Sequence, residues 1–263
     1  MASFTDKKLS EVYKDILHTD NSNTGIGATT KQIKCGDGDA TVLYLSSRHL
    51  ALLPDADSTT LIRARAANGD TLLQVDSTNS LVKIGVGSHI ANTQFKEFGL
   101  HDFSPTQGYH NPMVCNNMMF SDSGDDIIAD DSMFGNGTDP ATTLDLSADG
   151  TASSLVACTW YVQSNITIDE VRVVATCNSS HALNFHLYSY TLDTSSNHGD
   201  LSSGTLLAHI GSSMSATNTT MKTDTLTIDS ADVNADRAIY AFVENEGGTG
   251  DVTCQLVVKY HLR

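Results

Sequence analysis

The fold is decided by the stretch ITIDEVRVVA at residues 166–175, together with LNFHLYSY at residues 183–190. Apolar and polar side chains alternate in Glu170-Val171-Arg172-Val173 and in Phe185-His186-Leu187. A period of two residues is typical of a strand with one buried face. Both stretches are rich in β-branched or aromatic residues and are bounded by turn residues, which favours strands over helices. We therefore predict two long β-strands here and take them as the centre of the fold.

Five further stretches of the same kind surround these two. They are residues 155–162, 206–210, 225–228, 238–243 and 252–262. Short strands that follow one another without a helical interval are typical of an antiparallel sandwich. The sequence therefore predicts a mainly β protein in which residues 92–263 form an antiparallel, jelly-roll-like β-sandwich. Its expected core contains the apolar members of these strands: Trp160, Val162, Val171, Val173, Phe185, Leu187, Tyr240, Phe242, Leu256 and Val258.

A second region, residues 20–91, has less material for a core. Apolar stretches recur about every ten residues, with turn residues such as Asn68-Gly69-Asp70 between them. A single ribbon of this kind buries too little apolar area to be stable in water. We therefore predict a β-stalk that pairs with other copies of the chain, as a homotrimer. The predicted strands are residues 42–45, 50–53, 61–64, 72–75 and 81–86.

Residues 1–19 carry a helical pattern. Five apolar side chains follow one another at the spacing i, i+3, i+4, i+7 and i+8, which places them on one face of a short helix. They are Leu9, Val12, Tyr13, Ile16 and Leu17. A helix of this length needs a surface to dock on. We predict that it anchors the protein to a larger particle; packing against the chain's own body is the alternative.

Charge and cysteine content exclude several classes of protein. The chain has 15 Lys and Arg against 31 Asp and Glu, a formal net charge of -16, which is the wrong sign for binding nucleic acid. No apolar run is long enough for a membrane span, and no apolar segment of a secretory signal follows the first lysines. The five cysteines have no Cys-x-x-Cys spacing. We expect them to be small buried side chains of a protein that folds in a reducing cytoplasm.

No spacing in the sequence predicts a catalytic, cofactor or metal site. Residues 25–31, GIGATTK, lack the second glycine and the hydroxyl residue of a phosphate-binding loop. His181 and His186 are five positions apart on one predicted strand, so they point to opposite faces and cannot share an ion.

The densest acidic cluster lies between residues 122 and 131. It lacks the alternating spacing of a calcium loop. Two of its carboxylates could serve glycoside cleavage only on a rigid frame, and a Gly-rich loop is a poor one. Its members are Asp122, Asp125, Asp126, Asp130 and Asp131.

Four segments together resemble a known family. They are FTDKKLSEVYKDIL at residues 4–17, KCGDGDATVLYLS at 34–46, NGDTLLQVDSTNSLVKIG at 68–85 and CQLVVKYHLR at 254–263. These segments resemble virion structural proteins of tailed bacteriophages, especially fibre-like and decoration-like proteins of marine phages. The resemblance implies a homotrimer, an N-terminal anchor on the particle and a β-domain that projects outward.

The expected function is therefore that of a non-enzymatic virion protein, namely a tail fibre, a head fibre or a capsid decoration protein made in the host cytoplasm. Its expected partners are copies of itself and other capsid or tail proteins, with a host-surface glycan left open; nucleic acid and membrane are not expected. Two alternatives remain. One is a tailspike-like depolymerase that cleaves host polysaccharide, and the other is a lectin-like glycan-binding module.

Overall fold

The computed structural model describes residues 17–19, 26–86, 89–115, 133–146, 152–195 and 197–263. The chain divides into two compact units, Met1–Ala91 and Asn92–Arg263. Among the described residues, no helix is long and apolar enough to cross a membrane. The predicted N-terminal helical segment, residues 1–19, lies outside these residues except at its end, where the prediction is wrong: Leu17 is not helical, and His18–Thr19 form a strand.

The first unit contains two four-stranded antiparallel sheets. Each consists of strands that follow one another in the chain, and some of them are joined by tight turns, such as the turn in which the Gly69 N–H donates to the Ala66 carbonyl oxygen at 2.9 Å. The five strands predicted between residues 42 and 86 are confirmed. Sheet A is β1 (His18–Thr19), β2 (Lys31–Lys34), β3 (Ala40–Leu45) and β4 (Leu50–Leu52). Sheet B is β5 (Ile62–Arg65), β6 (Thr71–Asp76), β7 (Leu81–Ile84) and β8 (His89–Ile90).

The second unit consists of two larger antiparallel sheets and one short helix, α1 (Ala152–Cys158). The strands of sheet C are β9 (Thr93–Phe103), β11 (Val114–Cys115), β13 (Ile166–Cys177), β17 (Lys222–Thr225), β19 (Asp232–Val233) and β21 (Val252–Leu262). Their order in the sheet is β11-β9-β21-β13-β17, with β19 beside β13.

The strands of sheet D are β10 (His110–Pro112), β12 (Trp160–Val162), β14 (Ser180–Leu192), β15 (Leu201–His209), β16 (Met214–Thr217), β18 (Thr227–Ile228) and β20 (Arg237–Thr249). Their order in the sheet is β10-β20-β14-β15-β18, with β12 beside β20 and β16 beside β14.

The strand order is that of a jelly roll. The chain crosses repeatedly between the two sheets, except that β14, β15 and β16 follow one another in sheet D, and the first long strand, β9, lies beside the last, β21. In sheet D, β20 lies in the same way between the early strand β10 and the central strand β14. The mainly β class and the antiparallel sandwich are therefore confirmed. The central stretch at residues 166–175 lies within β13, which pairs with β21 along its whole length.

Trp160 identifies the inner face of sheet D. Its ring centroid lies 6.4 Å from that of Phe98 and 4.8 Å from that of Tyr260, and both partners belong to sheet C. Because Trp160 pairs with Ile239, the two side chains share this face. The same inner face carries the buried residues Phe185, Leu187, Ala241 and Val243.

All ten predicted core residues are buried, but two of them are buried on the other side of sheet D. Phe242 pairs with His186, and Tyr240 pairs with Tyr188, so these side chains point away from sheet C. Strand β20 is buried on both faces and reads as one continuous apolar run. Alternation cannot assign a face in such a strand.

The predicted strand at residues 155–162 begins as a helix. Helix α1 covers Ala152–Cys158, and only the last three residues of the stretch form β12. Leu155 and Cys158 are buried whereas Val156 is exposed, a spacing of three residues that fits one helical face. A short apolar run does not distinguish a strand from a turn or two of helix.

Residues 133–146, here called the cover segment, lie over the outer face of sheet D. The Tyr190 hydroxyl donates to the Ala141 carbonyl oxygen at 2.8 Å. Leu144 and Leu201 exchange two backbone hydrogen bonds of 2.9 Å. The outer face of this sheet is therefore covered by the chain itself, and the second unit has three layers at this point.

Gly204 is required where the cover segment meets β15. Its N–H donates to the Thr142 carbonyl oxygen at 2.9 Å. A Cβ atom there would lie 2.7 Å from the Thr142 Cα and 2.8 Å from the Tyr190 Cε1. No real Cβ atom is found so close to backbone, so a larger residue must displace the cover segment.

We predict that Gly204→Ala lowers the free energy of unfolding by about 1–3 kcal/mol, the usual cost of overpacking. Urea unfolding followed by fluorescence reports on this unit, because Trp160 is the single tryptophan of the chain. Gly211→Ala is the control, since a Cβ there has no atom within 4 Å. Equal effects of the two substitutions would contradict the close approach.

Candidate functional site

The residues predicted to form the N-terminal attachment face can be located only in part. Leu9, Val12, Tyr13 and Ile16 lie outside the described residues. Leu17 is described; it is exposed and directly precedes β1. Attachment through this face stays a prediction. The acidic cluster also lies outside the described residues, with all its members: Asp122, Asp125, Asp126, Asp130 and Asp131.

The three strands β5, β6 and β7 of sheet B share a side that carries six apolar side chains, here called the apolar face. Val75 pairs with Ile62 on one side and Val82 on the other. Leu73 pairs in the same way with two apolar residues of the neighbouring strands. Directly paired residues point to the same side of a sheet. The apolar face therefore consists of Ile62, Ala64, Leu73, Val75, Val82 and Ile84.

No residue of the apolar face is buried, and the exposed fractions of Val82 and Ile84 are 42% and 47%. The opposite side carries a polar row of Arg63, Gln74 and Lys83, which pair with one another across the three strands. The polar side also carries one leucine each from β6 and β7, so the two sides differ in degree. A group of uncovered apolar side chains of this kind is typical of an interaction surface.

Sheet A repeats this arrangement on a smaller scale. Leu43 pairs with Leu52, and Leu45 pairs with Leu50, so four leucines share one side, here called the leucine face. None of the four is buried. The first unit therefore presents two apolar sheet faces within its described residues, and the only buried apolar side chain there is that of Ile33.

A different kind of site lies on the outer face of sheet D, where three polar side chains meet beneath the cover segment. His110, His186 and Glu244 come from the adjacent strands β10, β14 and β20, and all three are buried. His110 lies directly opposite Glu244. One nitrogen or oxygen atom of each side chain lies within 4.8 Å of the others. We call these three residues the polar cluster.

Hydrogen bonds fix the orientation of the two imidazole rings. His110 Nε2 lies 2.9 Å from the Gly137 carbonyl oxygen, which can only accept. Nε2 therefore carries the proton, and Nδ1 keeps its lone pair. His186 Nε2 faces the carboxylate of Asp139, with 3.7 Å between Nε2 and Oδ1. Neither Nδ1 atom has a hydrogen-bond partner among the described residues.

Burial, with smaller contributions from the neighbouring His110 and His209, lowers the pKa of His186 to about 3. The His186 ring is therefore neutral at neutral pH. The third member of the cluster, Glu244, is also held in place: its Oε2 accepts a hydrogen bond of 3.3 Å from the side-chain amide of Asn184.

These three residues were not grouped from the sequence. The pair predicted to point to opposite faces, His181 and His186, is separated as expected: His186 lies on the outer face, while the His181 Nδ1 contacts Asn245 Oδ1 at 3.1 Å. The grouping depends on the strand order β10-β20-β14, which no local spacing encodes. The available signal was the position of His186 between two apolar residues, and of Glu244 directly after the apolar run at residues 238–243.

Phe134 packs the cover segment against the outer face of sheet D. Its side chain is fully buried, with ring centroids 4.6 Å from Phe242, 5.8 Å from Tyr240 and 6.1 Å from Tyr190. It thereby holds the cover segment against the aromatic side chains of sheet D. Aromatic pairs at these distances stabilise beyond the area that they bury.

Comparison with known proteins gives little. No protein-family model and no curated protein matches the chain. Among solved structures, the chain is similar to one described as "Structure of infectious bursal disease virus Gx strain", with a TM-score of 0.25 and 11% sequence identity. The similarity covers 98% of this chain and 48% of that one, so the chain spans about half the length of the viral chain. We draw no conclusion about function from a similarity of this size.

We predict that Phe134→Ala lowers the free energy of unfolding of the second unit by about 3–5 kcal/mol, because it leaves a cavity among buried rings. Phe95→Ala removes the same atoms from a side chain that is 62% exposed, and it should change stability by less than about 0.5 kcal/mol. Urea unfolding followed by Trp160 fluorescence measures both. A small effect of Phe134→Ala would show that the cover segment is not part of the folded core.

Proposed function

We propose that the protein is a non-enzymatic structural component of a virion, and that it acts as a homotrimer in which the copies cover one another's apolar faces. The apolar face of sheet B carries this proposal. It extends over three strands, and none of its six side chains is buried. Burial of apolar surface contributes about 25 cal/mol per Å². A four-stranded sheet that buries little apolar surface on either side lacks this stabilisation and is only marginally stable in water.

The occupant that we propose for these faces is a second copy of the same chain. A sheet that needs a cover in order to fold must find it as soon as it is synthesised, and identical chains are always present together. Most soluble oligomers close by symmetry, which brings equivalent faces together around one axis. A threefold axis would bury three apolar faces and three leucine faces at once.

Two features support a role without catalysis. The three side chains of the polar cluster are buried beneath the cover segment, where a polymeric substrate does not reach them. Burial also raises the pKa of the Cys158 and Cys254 thiols to about 12, which removes them as nucleophiles at neutral pH. Function then depends on surfaces and rigidity rather than on a reactive group.

The kind of virion protein that we propose is based on the resemblance of the sequence to fibre-like and decoration-like proteins of tailed phages. In this proposal the protein is made in the host cytoplasm and becomes part of the virion as a tail fibre, head fibre or capsid decoration. The face of Leu9, Val12, Tyr13, Ile16 and Leu17 attaches it to a capsid or tail protein. The sandwich projects outward, where it reinforces the particle or binds a host-surface glycan.

We predict that the purified protein has the mass of three 28.1-kDa chains in light scattering coupled to size exclusion. The double substitution Val82→Asp and Ile84→Asp should dissociate it, because carboxylates in an apolar interface have no partner. Arg63→Asp introduces the same group on the polar side of sheet B and should leave the trimer intact. A stable monomer of the unmodified protein at micromolar concentration would contradict the proposal.

We also predict that the protein does not shorten host capsular polysaccharide. Chain-length analysis of the sugar after incubation with the purified protein measures this. Shortened chains would favour the depolymerase alternative if the activity is lost when Asp125, Asp126, Asp130 and Asp131 are replaced by Asn. Binding of the sugar without shortening would agree with a glycan-binding structural protein.

A further inference from the structure

We propose that the polar cluster binds one divalent transition-metal ion, through Nδ1 of His110, Nδ1 of His186 and a carboxylate oxygen of Glu244. The ion has a structural role: it ties β10, β14 and β20 together beneath the cover segment. This inference goes beyond the proposed function and holds whether or not the chain forms a trimer.

The geometry is close to that of a bound site. One ring nitrogen of each histidine and one carboxylate oxygen of Glu244 lie within 4.8 Å of one another. In a tetrahedral zinc site with metal–ligand distances of about 2.1 Å, the ligand atoms are about 3.4 Å apart. Small side-chain rotations close this difference. The three residues stand on adjacent paired strands, so the backbone that carries them is already fixed.

The unpartnered nitrogen atoms point to a ligand. Four buried side-chain atoms of the described residues have no hydrogen-bond partner, and two of them are the Nδ1 atoms of His110 and His186. A buried polar atom without a partner destabilises the folded state. Because the Nε2–H of His110 is bound to Gly137, its Nδ1 offers a lone pair on the opposite side of the ring. One cation between the two rings satisfies both nitrogens.

The surroundings of both rings also match a metal site. Histidines that bind metals donate their second ring N–H to a backbone carbonyl or a carboxylate, which fixes the tautomer and the ring orientation. His110 does this with the Gly137 carbonyl, and His186 faces the Asp139 carboxylate. Both acceptors belong to the cover segment. Asp139 is therefore a positioning residue rather than a ligand.

The ligand set selects the class of ion. Two imidazole nitrogens and one carboxylate oxygen suit zinc, cobalt, nickel or iron, whereas calcium and magnesium require oxygen ligands. Two carboxylates, those of the buried Glu244 and the half-exposed Asp139, balance the charge of a divalent ion. We therefore expect Zn²⁺ or Co²⁺ to bind and Ca²⁺ not to bind.

The position of the site explains what the ion would stabilise. Strand β10 has only three residues, His110–Pro112, and it lies at the edge of sheet D. Pro112 has no N–H to donate, so this strand has few backbone hydrogen bonds. A metal bond to His110 would fix β10 on β20, and the contacts of Gly137 and Asp139 would extend this constraint to the cover segment.

The test uses the full-length protein, stripped with a chelator and titrated with Zn²⁺ and Co²⁺. Calorimetry should show one ion bound per chain at micromolar concentration. The absorption spectrum of the Co²⁺ complex should be that of an ion with nitrogen and oxygen ligands. Zn²⁺ should also raise the melting temperature of the protein. Glu244→Gln, which keeps the side-chain shape, and His186→Gln should abolish all three signals. Asp139→Asn should keep the stoichiometry but weaken Zn²⁺ affinity about 10–100-fold.

His209→Gln is the matched control. His209 lies opposite His186 on the neighbouring strand, but its ring contacts Asp229 at 2.7 Å outside the cluster. This variant should bind Zn²⁺ as the unmodified protein does. The proposal is overturned if the folded, unmodified protein binds neither ion at micromolar concentration, or if Glu244→Gln and His186→Gln bind as well as the control. A buried water between the rings would give the first of these results.

Discussion

The structure depends on the burial of sheet D on both of its faces. Strands β14 and β20 lie between sheet C on one side and the cover segment on the other. Their side chains must therefore be apolar in both directions, and any polar group among them must find a partner within the protein. This constraint accounts for the aromatic rings around Phe134. It also explains why His110, His186 and Glu244 are gathered beneath the cover segment and oriented by its carbonyl and carboxylate groups.

The two units solve the same physical problem in different ways. In the second unit, an apolar sheet face is covered by a segment of the same chain, and a glycine at position 204 permits the close approach. In the first unit, the apolar face and the leucine face have no buried residue. We propose that other copies of the chain cover them, and this proposal leads to a role in assembly. The proposed metal ion would stabilise the second unit in a further way, because its bond to His110 would hold the short edge strand β10 on β20.

Alternation in the sequence predicted the sandwich because most strands have one buried face. Val171 and Val173 could be assigned to the core for this reason, and so could Phe185 and Leu187. The same rule failed to assign faces for Tyr240 and Phe242, since β20 is buried on both sides. It also missed α1, where Leu155 and Cys158 are buried at a helical spacing. The polar cluster could not be predicted at all, because the strand order rather than any local spacing brings its residues together.

The most direct test of the account is an experimental structure of the purified protein in solution, with sheet B resolved. The account predicts three copies around one axis, with Val82 and Ile84 buried against the neighbouring copies and Arg63 on the solvent side. A single copy whose Val82 and Ile84 face water would contradict it. So would an assembly whose contacts leave the apolar face of sheet B uncovered.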